Sequence, residues 1–307
     1  MALCPVCKFD CAGHDYCPVC GFEQKDYAFV SKEDAEQWFY QIVIPWREWC
    51  SSSRNDFIIE GTTLKKYIGD KPIVNIPDFI TKVGNDCFKK TNIFSVYIPE
   101  SVIEIGPFAF AWCEKLQMVH IENVQILDPL AFYRSENIKS VHLGENIKTV
   151  PFFSDGISIE NISVDSQNKN FHVKNNCLIH DTTLVMGCQD CKIPDYVTEI
   201  GSEAFSGARH YCSNIVIPPN VSIIRMAAFS SIALEIVIPA TVTQVERGAI
   251  NACDYARIYC DFDDKPDGWD DGWCVRYRTK DYKNGIDPKV YWKNEWHYEN
   301  GKPIPNE

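Results

Sequence analysis

Four cysteines near the start of the chain have the spacing of a metal site: Cys4-Pro5-Val6-Cys7, nine residues, then Cys17-Pro18-Val19-Cys20. A C-x-x-C turn points both sulfurs at one centre, and four thiolates satisfy the tetrahedral preference of zinc. Iron also accepts four thiolates but ranks below zinc for this pattern. Cys11 and His14 lie between the pairs at less regular spacing and read as bystanders. A closed four-cysteine site has no open coordination position, so the expected zinc is structural rather than catalytic.

A second pair, Cys188-Gln189-Asp190-Cys191, is weaker. A redox motif of this form opens a helix in a βαβ setting. Here it precedes Ile193-Pro194, read as a strand, so a loop with incidental thiols is expected. A zinc site shared with Cys177 or Cys212 is the alternative. Asp261, Asp263, Asp264, Asp267, Asp270 and Asp271 form an acidic run, but the twelfth position from Asp263 is Cys274 rather than Glu. That breaks the calcium-loop pattern and leaves a solvated turn. No P-loop, GxGxxG, GxSxG or HExxH motif occurs, and the chain is expected not to be an enzyme.

The chain has 307 residues, 45% of them hydrophobic, and a net charge of -12. That charge argues against a sequence-independent grip on nucleic acid, which needs clustered Lys and Arg, and equally against an anionic membrane surface. No apolar stretch approaches the roughly 20 residues of a membrane span. The opening MALCPVCKFDC has no basic-then-apolar signal region. With an odd count of 15 cysteines, four of them read as metal ligands, the thiols are expected to be reduced. A cytoplasmic location is therefore expected.

Residues 4 to 21 resemble the short bacterial zinc-ribbon family, whose pattern is a repeated CPxCG. Tyr16-Cys17-Pro18-Val19-Cys20-Gly21 matches the second half, while Lys8 stands where the first half would have glycine. So few residues bury too little to fold alone, and metal binding would supply the folding free energy. Ser31, followed by Glu33 and Asp34, reads as the N-cap of a helix, with Ala35, Trp38, Phe39 and Ile42 at helical spacing. Pro45 ends it at Ile44, and its aromatic face is expected to cover the open end of the adjoining repeats.

The rest of the chain repeats itself. IPDFITKVGNDCF from Ile76, IPESVIEIGPFAF from Ile98, IPDYVTEIGSEAF from Ile193, IPPNVSIIRMAAF from Ile217 and IPATVTQVERGAI from Ile238 share one register. Degenerate copies start at Ile121 and Leu143, where local distortion is expected. The anchors Phe88, Phe110, Phe132 and Phe153 step by 22, 22 and 21, and after a gap Phe205, Phe229 and Ile250 step by 24 and 21. A period in the low twenties predicts a mainly β repeat solenoid. Within one repeat, Val96 and Ile98 point inward from a short strand and Tyr97 outward. Val102 and Ile105 turn inward while Ile103 and Glu104 turn outward, and Phe110 is the core plug. Three residues after each anchor, Cys113 and its equivalents Thr91, Ser135 and Cys253 are expected to be small packing residues.

These copies resemble the BspA-type (Treponema pallidum-like) leucine-rich repeat family, whose consensus runs IPxSVTxIGxxAFxxCxxL. The resemblance covers roughly residues 57 to 293. FIIEGTTLKKYIGDKPIVNIP is similar to the family's lead-in strand pair. ISVDSQNKNFHVKNNCLIHDTTLVMG is similar to its hairpin insertion, with Asn175-Asn176 at the turn. Lys265-Pro266-Asp267-Gly268-Trp269 with Trp273 is similar to its closing cap, followed by the strand Val290-Tyr291-Trp292. The domain reading is a zinc ribbon over residues 1–27, a connecting helix over 28–56, a repeat solenoid over 57–275 with a hairpin near 162–190, and a C-terminal cap and tail over 276–307. The outward strand positions, Asn75, Tyr97, His120, His142, Ser163, Val216, Val237 and Tyr259, are expected to stack down one face. Tyr97, Met118, His120 and His142 would give an aromatic patch suited to a protein partner. No carboxylate shares that position, so a metal site there is not expected. The chain reads as a non-enzymatic protein-interaction module. The resemblance carries the alternative of a surface-exposed, adhesin-like binder.

Overall fold

The structure is a computed structural model describing residues 52–150, 159–205, 215–230, 235–252, 256–276 and 288–306. The expected zinc ligands Cys4, Cys7, Cys17 and Cys20, the expected helix from Ser31, and Phe153, Cys212 and Cys253 lie outside these residues. The chain divides into two compact units, Met1–Asn137 with Thr149–Phe152, and Ile138–Lys148 with Phe153–Glu307.

Among the described residues, the ladder of the first unit starts with an antiparallel hairpin of β1 (Phe57–Glu60) and β2 (Thr63–Tyr67). Each repeat then adds one longer strand and one of two residues: β3 (Ile73–Asn75) and β4 (Lys82–Val83), β5 (Ser95–Ile98) and β6 (Glu104–Ile105), β7 (Met118–Ile121) and β8 (Ile126–Leu127). The repeat length brings equivalent residues into parallel register. Val74 faces Val96 and Val96 faces Val119 along the longer strands, while Leu64, Val83, Ile105 and Leu127 form a second column. All of these side chains are buried. A third column is aromatic: Phe88 stacks on Phe110 at 4.7 Å and Phe110 on Phe132 at 5.0 Å, with planes within 9°. Identical residues one period apart thus become face-to-face neighbours, and the repeat signal is a packing signal.

The bends around Phe88 and Phe110 each use two left-handed residues. Asp86 and Lys90 flank Phe88 at φ 55° and 61°, and Phe108 and Trp112 flank Phe110 at φ 56° each. This lets the anchor's N–H reach the next coil, as Phe88 N–H does to the Ala109 carbonyl and Phe110 N–H to that of Ala131. The residue three places after the anchor does more than stay small. The Cys113 thiol donates to the Phe88 carbonyl, and the Ser135 hydroxyl to the Phe110 carbonyl at 2.5 Å while accepting from Cys113 N–H. A side chain that is short and also donates satisfies a carbonyl one coil away, where water cannot enter.

The copy starting at Ile121 is regular, contrary to the expected distortion. Met118–Ile121 pairs residue for residue with Ser95–Ile98, Glu122 stands where the other copies place proline, and Asn123 next to it donates to the Glu100 carbonyl. The copy starting at Leu143 has no second short strand among the described residues.

The second unit begins with β9 (Ser140–Leu143) and β10 (Asn161–Val164), paired in parallel. Then come β11 (His172–Lys174), β12 (Cys177–His180) and β13 (Thr183–Gly187), antiparallel in sequence. Asn175 and Asn176 turn the first hairpin at φ 50° and 59°, the pair of positive values a two-residue type I′ loop requires. The hairpin β12–β13 repeats the register and bulge of β1–β2, and Thr182 bonds Thr198 as Thr62 bonds Thr81, each at 2.8 Å. It is therefore the start of a new ladder rather than only an insertion. The strand expected at Ile193-Pro194 is absent. Lys192 N–H there bonds the Asn175 carbonyl of the hairpin turn.

From β13 a parallel ladder of short strands runs through β14 (Glu199–Ile200) to later coils. Those coils comprise β15 (Ile215–Val216), β16 (Ile223–Ile224), β17 (Phe229–Ser230), β18 (Glu235–Ile238), β19 (Gln244–Val245), β20 (Ile250–Ala252), β21 (Arg257–Cys260), β22 (Cys274–Arg276) and β23 (Lys289–Tyr291). Within this unit Phe205 stacks on Phe229 at 5.2 Å in an aromatic column of its own. Trp269 and Trp273 close it 4.8 Å apart, both buried, and the Trp269 indole N–H donates to the Val242 carbonyl. Gly268 is required beside them, since a Cβ there would strike the Thr243 carbonyl oxygen. A last hairpin, β24 (Trp296–Glu299) and β25 (Lys302–Pro305), turns at Asn300-Gly301.

Arg225 clamps three coils of this unit, donating to both carboxylate oxygens of Glu199 and to Glu246. The Arg225 hydrogen bond holds the Glu246 carboxyl below its ordinary 4.5. A carboxyl lowered in the folded state stabilises fully above its unfolded pKa, and that contribution is lost as pH falls through the folded one. An Arg225→Met variant should therefore melt below the parent at neutral pH. The gap should narrow as pH drops below about 4.5, as thermal melts across pH would show.

Candidate interaction surface

The outward side of β5 and β7 carries the residues singled out in the sequence. Strand alternation buries Val96, Ile98, Val119 and Ile121 and turns Tyr97, Met118 and His120 to the other face. Tyr97 pairs with His120 across the two strands, ring centroids 5.0 Å apart, and with Asn75 on the other side. Met118 pairs with Ser95 on the same face. Glu122 joins them: its Oε1 accepts from the Tyr97 hydroxyl at 3.2 Å and lies 2.6 Å from His120 Nε2. Sequence reasoning missed Glu122 because it lies one residue past the strand. The signal was its place two residues after His120, on the same side of the pleat.

Partial burial first, then the Glu122 charge, raises the Tyr97 hydroxyl above its ordinary 10.0. It stays a donor through the physiological range. The group is a hydrogen-bonded aromatic platform, with the acidic group engaged in holding it in shape.

In the second unit, His142 lies on β9 and bonds Ser163 of β10, its cross-strand partner, at 2.9 Å. Val216 pairs with Val237 and Val237 with Tyr259, the register expected for the outward column. Tyr259, however, is fully buried rather than exposed. Tyr291 stacks on it at 5.2 Å, Trp296 of the last hairpin packs at 5.4 Å, and its hydroxyl donates to Glu235. Desolvation pushes that hydroxyl up to about 12. The Asn300-Gly301 turn was the sequence signal for the hairpin that covers it.

The thiols are packing groups. Desolvation pushes Cys87 up to about 12 and raises Cys113 and Cys260, so these stay protonated and are poor nucleophiles at neutral pH. Cys188 is buried and Cys191 half-buried, on a turn closed by Cys191 N–H to the Cys188 carbonyl. The acidic run is a set of turns. Asp270 accepts from Gly272 N–H, Asp271 pairs with Lys265 at 3.0 Å and Asp261 with Lys293 at 3.7 Å.

No curated protein matches the chain. Among solved structures, a leucine-rich repeat protein from Eubacterium ventriosum is 19% identical, with a TM-score of 0.43 and 65% of each chain covered. The pneumococcal vaccine antigen PcpA is 15% identical over 82% of this chain and 73% of that one, with a TM-score of 0.49. A leucine rich cell surface protein from Faecalibacterium prausnitzii is 15% identical over 68% of this chain and 88% of that one, with a TM-score of 0.30. The family described as BspA type leucine rich repeat region matches in six copies over residues 72–185 and 185–261. That match spans more than half of the chain, which belongs to the BspA-type leucine-rich repeat family.

Proposed function

We propose that this chain is a non-enzymatic protein-interaction module whose contact residues are Tyr97, Met118 and His120 in the first unit and His142 in the second. One observation carries the reading: the repeat register devotes the inward columns to packing and leaves Tyr97 and His120 as paired, partly exposed rings on a strand face. Aromatic groups held rigid before contact bind at low entropic cost. The test is capture of partners from the native host by the full chain. Tyr97→Ala with His120→Ala should lose a specific protein that the parent retains, and His142→Ala should weaken its capture. An identical set of captured proteins from all variants counts against the reading.

The same proposal assigns a structural zinc to Cys4, Cys7, Cys17 and Cys20 as a ribbon at the start of the chain. Its support is the paired CPxC spacing and the all-thiolate donor set. Elemental analysis of purified protein should give about one zinc per chain, and Cys17→Ser should reduce it sharply. Metal content unchanged by Cys17→Ser would remove the assignment.

Free buried thiols at Cys87, Cys113, Cys177 and Cys260 favour a reducing compartment, hence the cytoplasm. Among the described residues no helix is long and apolar enough to cross a membrane. The competing reading is a surface-exposed, adhesin-like binder, an implication of the repeat family rather than of any one solved structure. Cell fractionation separates the two: recovery at the cell surface would select the adhesin.

A further inference from the structure

The anchor bends of the first unit carry a second concentration of side chains that the strand face does not use. Phe108, Trp112 and Tyr133 are half-buried and pack on one another, Phe108 stacked on Trp112 at 6.2 Å and Trp112 edge-on to Tyr133 at 5.3 Å. Cations sit over these rings: Lys89 5.1 Å from the Trp112 centroid, Lys90 at 6.0 Å, and Arg134 5.7 Å from that of Tyr133. Lys89 and Lys90 also line a groove of about 660 Å³ with Trp112. Two carboxylates temper the charge, since Asp86 pairs with Lys89 at 2.6 Å and Glu114 borders the groove.

An independent observation marks this edge. Lys90, Phe108, Trp112 and Arg134 all have left-handed backbone, φ 56° to 61°. That region suits glycine or asparagine and is unfavourable for bulky side chains. In the second unit the position two before the anchor is equally left-handed but holds Glu203, Ala227 and Gly248, with neither ring nor cation. The fold therefore does not need a ring at the position of Phe108. The first unit carries these bulky side chains at a cost in backbone strain, and strain of this kind concentrates at binding sites.

We propose that this edge is a docking site for an acidic peptide segment of a protein partner, one that alternates carboxylates with aromatic or apolar side chains. Lys90 and Arg134 would bind the carboxylates, and the Phe108, Trp112 and Tyr133 rings would take the apolar side chains between them. Charge decides among occupants. In a chain of net charge -12, Lys90 and Arg134 beside three rings offer an acidic segment cationic and apolar contacts together. The site is separate from the strand face around Tyr97, so either proposal can fail alone.

The test is fluorescence anisotropy of the full chain with a fluorescein-labelled peptide of repeating Glu-Glu-Tyr. The parent should bind, more weakly as salt rises. Lys90→Glu with Arg134→Glu should weaken binding about tenfold or more, the scale of one charge-assisted contact. Lys174→Glu, a charge change elsewhere, should leave it intact. Trp112→Gly relieves the left-handed strain and should lose binding with the thermal midpoint kept. If it fails to fold, the double charge variant decides. No binding of the acidic peptide, equal binding by the double variant, or preference for a Lys-Lys-Tyr repeat or an oligothymidylate would overturn the proposal.

Discussion

Phe110→Ala is expected to destabilise the first unit by about 3–5 kcal/mol, the largest effect of any single substitution considered for this chain. The ring is fully buried, sandwiched between Phe88 at 4.7 Å and Phe132 at 5.0 Å. Its removal loses the transfer free energy of the ring and leaves a cavity that the neighbouring plugs, fixed by their own coils, cannot fill. A coil touches only its neighbours, so the damage should start locally. Denaturant titration would show the lowered midpoint. Hydrogen exchange should show early loss of protection at Phe88 N–H and Phe110 N–H, whose bonds cross from coil to coil. A loss near 1 kcal/mol would mean that the plug is not what holds adjacent coils together.

Ser135→Ala should come next, although it removes a single oxygen. The buried Ser135 hydroxyl donates to the Phe110 carbonyl and accepts from Cys113 N–H, tying two coils through one atom. Alanine leaves both backbone groups buried and unpaired, at about 1–3 kcal/mol each. Ser135→Cys should recover part of the loss, since Cys113 makes the equivalent bond to the Phe88 carbonyl with its thiol at 3.0 Å. Thermal or denaturant melts of the two variants would measure it. An alanine variant as stable as the parent would show that small size alone is required there.

The fold was legible in this sequence wherever physics repeats with the period. The anchors, the inward valines and isoleucines and the Asn175-Asn176 turn all recur or carry strong local signals. What escaped was set by neighbours that the period does not bring round. Tyr259 occupies the outward position, and Tyr291 together with Trp296 of the hairpin ending at Pro305 covers it. Glu122 reaches Tyr97 from beyond its strand. Ser135 looked like a mere small residue because its acceptor is a backbone carbonyl, which a sequence does not display. The left-handed bends at Phe108 and Trp112 were equally hidden, since neither residue type announces that conformation. Strand alternation placed Tyr97, Met118 and His120 on the outward side, and the carboxylate that contacts Tyr97 and His120 was not legible.

Photo-crosslinking tests the proposed strand face most directly. A benzophenone amino acid is placed at Met118, on the outward side of β7, and in a second chain at Lys174 on β11, and each is irradiated in the native host. The account predicts a discrete covalent adduct with another protein from Met118 and none from Lys174. No adduct from Met118, or the same adducts from both positions, would contradict it.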